Sequence, residues 1–122
     1  MYRIPPDLDL SFFVGSTLEQ VAIGKYDVQF RFDSGASIAL QGEATVFLDG
    51  TPAAHWSEET GWSTLAFQNL LNHCMLDVRV LTERVIELCF SENVRLQLCD
   101  NSDQYESMQI QSPAGGAPII VI

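Results

Sequence analysis

Positive charge is scarce in this sequence: six Lys and Arg stand against sixteen Asp and Glu in 122 residues, a formal net charge of −10. A nucleic-acid backbone needs clustered cations, so the balance excludes that class of partner, and anionic membrane surfaces with it. Long apolar runs are also missing. None approaches the roughly 20 residues that cross a bilayer. The first residues, Met1 to Asp7, lack the basic region and long apolar stretch of a secretory signal. The three cysteines, Cys74, Cys89 and Cys99, are odd in number and without CxxC spacing. They point to reduced, buried thiols in the cytoplasm. There is no GxGxxG, phosphate-binding loop, nucleophile elbow or HExxH. No catalytic, metal or cofactor residue is therefore assigned.

What is present is a globular composition, 47% hydrophobic and 18% charged, enough for one domain over residues 1–122. The chain also nearly repeats itself. At a shift of 58 positions, Val28, Phe30 and Phe32 fall on Ile86, Leu88 and Phe90, and Ile38 and Leu40 fall on Leu96 and Leu98. Gly35, in the turn between, falls on Asn93; Gly and Asn are the residues most tolerant of a left-handed backbone. Chance likeness between alternating strands is the competing account, and the matched turns favour repetition.

Apolar and polar residues alternate from Val28 to Phe32, as in a half-buried strand. The same reading places strands at Leu18–Ile23, around Ile38 and Leu40, and over Ala44–Leu48, making a first meander over about 17–48. Residues 49–62, with Pro52, Gly61 and both tryptophans, read as a connecting loop. Ser63 reads as the N-cap of a helix whose apolar face is Phe67, Leu70, Leu71 and Cys74, at i, i+3, i+4 and i+7. A second meander follows over about 75–111, then a Gly/Pro loop and an apolar end strand over about 118–122. Each meander has one apolar face and cannot bury it alone. The expected fold is α+β and mostly antiparallel β: two similar meanders flanking one α-helix, packed as a roll or two-sheet sandwich.

Charge is distributed unevenly. No Lys or Arg occurs between Phe32 and Asp77, nor after Arg95. The first gap holds Asp49, Glu58 and Glu59 beside His55 and Trp56; the second holds Glu106 beside Tyr105. His55 with Glu58 and Glu59 matches no metal-ligand spacing, and a loop His beside acids is usually a solvated residue. A contact role for Trp56 suits the interface chemistry of tryptophan, although both Trp56 and Trp62 also suit a core cap. Cys74 belongs to the apolar face, so core packing is favoured over a nucleophile paired with His73. Tyr105 and Glu106 project to opposite faces of a strand start. Asp49, His55, Trp56, Glu58, Glu59, Tyr105 and Glu106 are the candidate partner-contact residues.

The strand-turn from Asp27 to Gly35, the short helix, the second meander and the run Tyr105-Glu106-Ser107 together resemble a class of small bacterial proteins of a meander, helix, meander type. Some relatives of that type are immunity-like proteins that neutralise secreted toxins. The resemblance implies no catalytic residues. It implies a non-enzymatic binding module whose acidic face occludes a basic protein partner. The alternative is a small-ligand binder or enzyme with a pocket between the meanders and the helix. A homodimer through the C-terminal strand is a third expectation, since Ile119 to Ile122 would otherwise leave an edge open.

Overall fold

The computed structural model describes residues 3–102, 106–113 and 120–122. Among these residues, eleven strands form two antiparallel sheets. The first sheet contains β1 (Leu18–Ile23), β2 (Val28–Phe32), β3 (Ser37–Leu40), β10 (Met108–Gln111) and β11 (Ile120–Val121), in that spatial order. The second runs β6 (Gly61–Trp62), β5 (Thr51–Ser57), β4 (Glu43–Leu48), β9 (Val94–Cys99), β8 (Val85–Phe90), β7 (Met75–Thr82). No described helix is long and apolar enough to cross a membrane.

The alternation seen in sequence sets the inner faces. Val28, Phe30 and Phe32 of β2 are buried, while Gln29 and Arg31 point outward. Ile86, Leu88 and Phe90 of β8 are buried on the other sheet. The faces meet in one core, where Phe32 and Phe90 stack with centroids 6.4 Å apart and planes 1° from parallel. Full burial of each such side chain contributes about 2–3 kcal/mol.

Several sequence expectations are corrected. The helix over 63–74 is a 3-10 helix confined to Leu65–Leu70, and no α-helix occurs among the described residues. Thr64, not Ser63, caps it, its side chain accepting from the Ala66 amide at 3.1 Å. The helix stops because the following segment is claimed by β-pairing. Asn72 takes a left-handed φ of 67°, its amide donates to the Leu18 carbonyl, and the Leu18 amide donates to His73. Residues 49–62 are not a loop. Asp49 and Gly50 both have positive φ, 52° and 81°, the requirement of a tight two-residue hairpin turn, and the chain returns as β5 along β4. Pro52 is accommodated because it lies opposite Phe47 at a bulge, where a missing amide donor costs little.

The fourth strand of the first meander is also reassigned. β4 leaves the first sheet and pairs with β5 and β9 in the second. The chain makes the same kind of transfer in reverse after β9, returning to the first sheet as β10. The first transfer is tight, with only Gln41 and Gly42 between β3 and β4. The Gln41 amide donates to the Ser107 carbonyl at 2.7 Å, tying one corner to the other. The C-terminal residues pair internally on one side: Ile120 and Val121 face β10, and Ile122 is buried and exchanges backbone hydrogen bonds with Met108.

Candidate functional site

The two transfers between sheets form one end of the molecule, and a cleft of about 500 Å3 opens there. Gln41, Gly42 and Glu43 supply one wall, from the β3–β4 corner. Asn101, Ser102, Glu106 and Ser107 supply another, from the β9–β10 corner. Ser57 at the end of β5, with Glu58 and Glu59 of the turn that follows, closes it. Topology thus assembles residues that lie far apart in sequence.

Four carboxylates line the cleft: Glu43, Glu58, Glu59 and Glu106. No Lys or Arg is among the described lining residues. Glu43 is the most fixed of the four. Its Oε1 lies 3.0 Å from His55 Nε2, and its Oε2 accepts from Asn101 Nδ2 at 3.3 Å. The imidazole is held on its other side by Thr45 Oγ1, 3.0 Å from Nδ1. Thr45 and His55 are cross-strand neighbours on β4 and β5, so the sheet itself sets this geometry. Glu58, Glu59 and Glu106 are exposed. Glu106 accepts from Gln109 at the limit of hydrogen-bond length, 3.5 Å. The arrangement can hold cationic groups by charge and by carboxylate hydrogen bonds. Among the described residues, no three His, Cys, Asp or Glu side chains are placed to hold a metal ion.

Behind the cleft, the second corner is locked by Asp100, which is 1% exposed. Its Oδ1 accepts from Ser107 Oγ at 2.6 Å and from the Ser102 amide at 3.2 Å, and its Oδ2 from Arg3 Nη1 at 3.2 Å. The backbone of Asp100 exchanges further bonds with Arg84, whose carbonyl accepts from its amide and whose Nη1 donates to its carbonyl. A buried carboxylate is stable only when so surrounded.

The candidate contact residues divide accordingly. Glu58, Glu59 and Glu106 come together in the cleft, and His55 stands beside it through Glu43. Asp49 does not join them: it sits at the far end of β4, roughly 20 Å away by strand length, where its Oδ1 accepts from Asn93 Nδ2. Trp56 is 1% exposed, opposite Ala44 and Trp62, and its indole is a core side chain that a docking protein does not touch. Its neighbour Trp62 is half-buried and stacks on Phe67 at 4.8 Å. Tyr105 lies outside the described residues. Glu43, Asn101 and Ser102 were not singled out from sequence, although Glu43 belongs to the first stretch without Lys or Arg.

None of the three thiols is in a disulfide, and none lines the cleft. Burial, reinforced by the Glu87 carboxylate, raises the Cys89 pKa; burial, reinforced by Glu43 and Asp100, raises that of Cys99. Both favour the neutral thiol, the reverse of an activated nucleophile. The unfolded chain releases these protons near the ordinary value of 9.0 while the folded chain retains them. Their contribution to stability is therefore complete below that pH and declines as pH rises above it. Alkylation by iodoacetamide at pH 8, followed by mass spectrometry, is expected to be slower at Cys89 and Cys99 in the native protein than in urea. Equal rates would contradict the shifts.

Compared with models of known families, with curated proteins and with solved structures, the chain matches none.

Proposed function

We propose that this protein is a non-enzymatic binding module that masks a basic site on a protein partner, in the manner of an immunity-like protein, with the acidic cleft as its docking point. One observation carries the reading: both stretches without Lys or Arg deliver carboxylates to the same cleft, Glu43, Glu58 and Glu59 from one and Glu106 from the other. Fields of one sign in a concave site accelerate the encounter with an oppositely charged partner and discriminate against acidic ones. Each close carboxylate–cation pair in this exposed setting contributes on the order of 1 kcal/mol, so several must act together. Three unpaired thiols suit a reducing cytoplasm, and the bacterial setting follows the same resemblance.

The test is binding of Lys- and Arg-rich peptides, measured by calorimetry at low and high salt. The expected result is micromolar or weaker binding that fades with salt and falls about tenfold or more in the combined variant Glu58→Gln, Glu59→Gln, Glu106→Gln. These three exposed side chains carry little of the fold, so Tm should hold. Binding that ignores both salt and the triple substitution would sink the reading. A small cationic ligand bound in preference to any peptide would instead favour the small-ligand alternative, for which the cleft has the volume.

We also propose that the two three-stranded meanders, β1–β2–β3 and β7–β8–β9, are copies of one unit. What supports it is that Phe32 and Phe90, equivalent at the shift of 58, stack on each other across the core, and that Gly35 and Asn93, also equivalent, both have positive φ, 93° and 60°.

A further inference from the structure

β7 is the longest of the four strands that end a sheet, eight residues against six in β1 and two each in β6 and β11. Among the described residues its outer edge is bonded through the backbone only at the ends, with the 3-10 turn Ser11–Phe13 packed beside it. At one end Met75 exchanges backbone hydrogen bonds with Gly15 and Ser16; at the other, Glu83 accepts from the Ile4 amide. Between them, Leu76–Thr82 has β8 as its only backbone ladder partner among the described residues. Open edges of this kind are templates for further pairing. The edge is also apolar. Leu76 and Leu81 are 59% and 46% exposed, and Val14, just before the Gly15 contact, is 49% exposed.

The charges on β7 specify what fits. Asp77 and Arg79 both point to the outer face of the sheet, opposite Cys89 and Glu87, while Val78 and Val80 between and beside them pack on the core. Directly opposed residues of an antiparallel pair share a face. A second copy of this edge, related by a two-fold axis, can therefore be centred only on a residue and not between two. Centred on Asp77, it sets Asp against Asp. Centred on Arg79, it sets Arg against Arg. Centred on Val78, it sets each Asp77 against the second copy's Arg79, twice, with the exposed bulge residues Leu76 and Leu81 flanking the contact. The paired stretch is then Asp77–Arg79, symmetric about Val78, and it stops short of Met75, whose backbone is already bonded. Bulges at Leu76 and Leu81, each an extra residue of β7 against β8, bound the regular stretch Asp77–Val80.

We propose that the occupant of the β7 edge is a second copy of this chain, paired antiparallel about Val78, so that the two six-stranded sheets become one. This surface is separate from the acidic cleft, and neither reading depends on the other. In the free chain Arg79 Nε donates to Asp77 Oδ2 of the same strand at 2.8 Å; pairing gives each group a second, cross-strand partner.

The test is sedimentation of the full chain over a range of concentrations up to its solubility limit. Reversible dimerisation is expected. Asp77→Arg or Arg79→Asp alone places like charges opposite each other and should weaken the dimer about tenfold or more. The double variant Asp77→Arg, Arg79→Asp restores opposite charges across the axis and should recover it. Mixing the two single variants should give a heterodimer in which all facing pairs are again opposite. Thermal unfolding of each variant separates loss of pairing from loss of fold, and the double variant keeps the test decisive if a single one is unstable. A chain that stays monomeric at every concentration would overturn the proposal. So would a dimer indifferent to the reversals, which would place the contact elsewhere, such as the C-terminal strand.

Discussion

Replacing Asp100 by alanine is expected to lower the free energy of unfolding by about 4 kcal/mol, read from denaturant unfolding, with a fall in Tm of roughly 10 °C or more. The carboxylate is 1% exposed and accepts from Ser107 Oγ, the Ser102 amide and Arg3 Nη1. Deleting it leaves a buried hydroxyl and a part-buried amide without that acceptor, each costing about 1–3 kcal/mol. The Arg3 contact adds less, because its side chain is 29% exposed and water shares its charge. Asp100→Asn keeps the shape and one acceptor oxygen and should lose about half as much. Because Ser102 and Ser107 also line the cleft, Asp100→Ala should weaken binding of basic peptides without removing any cleft carboxylate. A loss below about 1 kcal/mol would show that the corner is held by its backbone alone.

Gly42→Val is the second large effect, expected at about 3 kcal/mol. Gly42 is buried, and a Cβ there would fall inside contact distance of the Cys99 carbonyl oxygen and close to its carbonyl carbon. These are backbone atoms of β9, held in register with β4 by the pairing of Cys99 with Glu43, so no side-chain rotation relieves the overlap. The strand pair must open at its cleft end. Urea unfolding checks the magnitude, and hydrogen exchange checks the place: amides at the Glu43 end of β4 should lose protection ahead of those at the Leu48 end. A variant with unchanged stability and uniform protection would show that this corner yields more readily than its packing implies.

The strands were legible because a pleated strand with one face on the core must alternate: Val28–Phe32 does so without interruption, and Ile86, Leu88 and Phe90 keep the same phase. Two elements were misread for physical reasons that a local pattern does not contain. Phe67, Leu70, Leu71 and Cys74 have helical spacing, but residues 72–75 are bound by the backbone of Ser16 and Leu18, a partner more than fifty positions away. Tertiary pairing there outweighs local periodicity. In β5, Pro52 argues against a strand, and the bulge that admits it, with Ala53 left unmatched between the partners of Val46 and Phe47, shows only in the pairing with β4. Of the candidate site, the acidic character was legible and the assembly was not. Glu58, Glu59 and Glu106 share a cleft only because the chain changes sheet twice at the same end, and Trp56, attractive as an exposed anchor, is taken by the core because β5 is a strand and turns that side chain inward.

The seam between β4 and β9 has a kinetic consequence. It joins residues roughly fifty positions apart at the centre of the six-stranded sheet, from Glu43 with Cys99 to Leu48 with Val94. The hairpins on either side, β4 with β5 and β8 with β9, close over short loops and can form early, whereas this junction must wait for a long loop to close. A chain with its hairpins made and the seam still open has neither corner in place and so no cleft. The acidic cleft is therefore a late product of folding, and a ligand that binds it holds the seam shut, slowing unfolding more than it speeds folding.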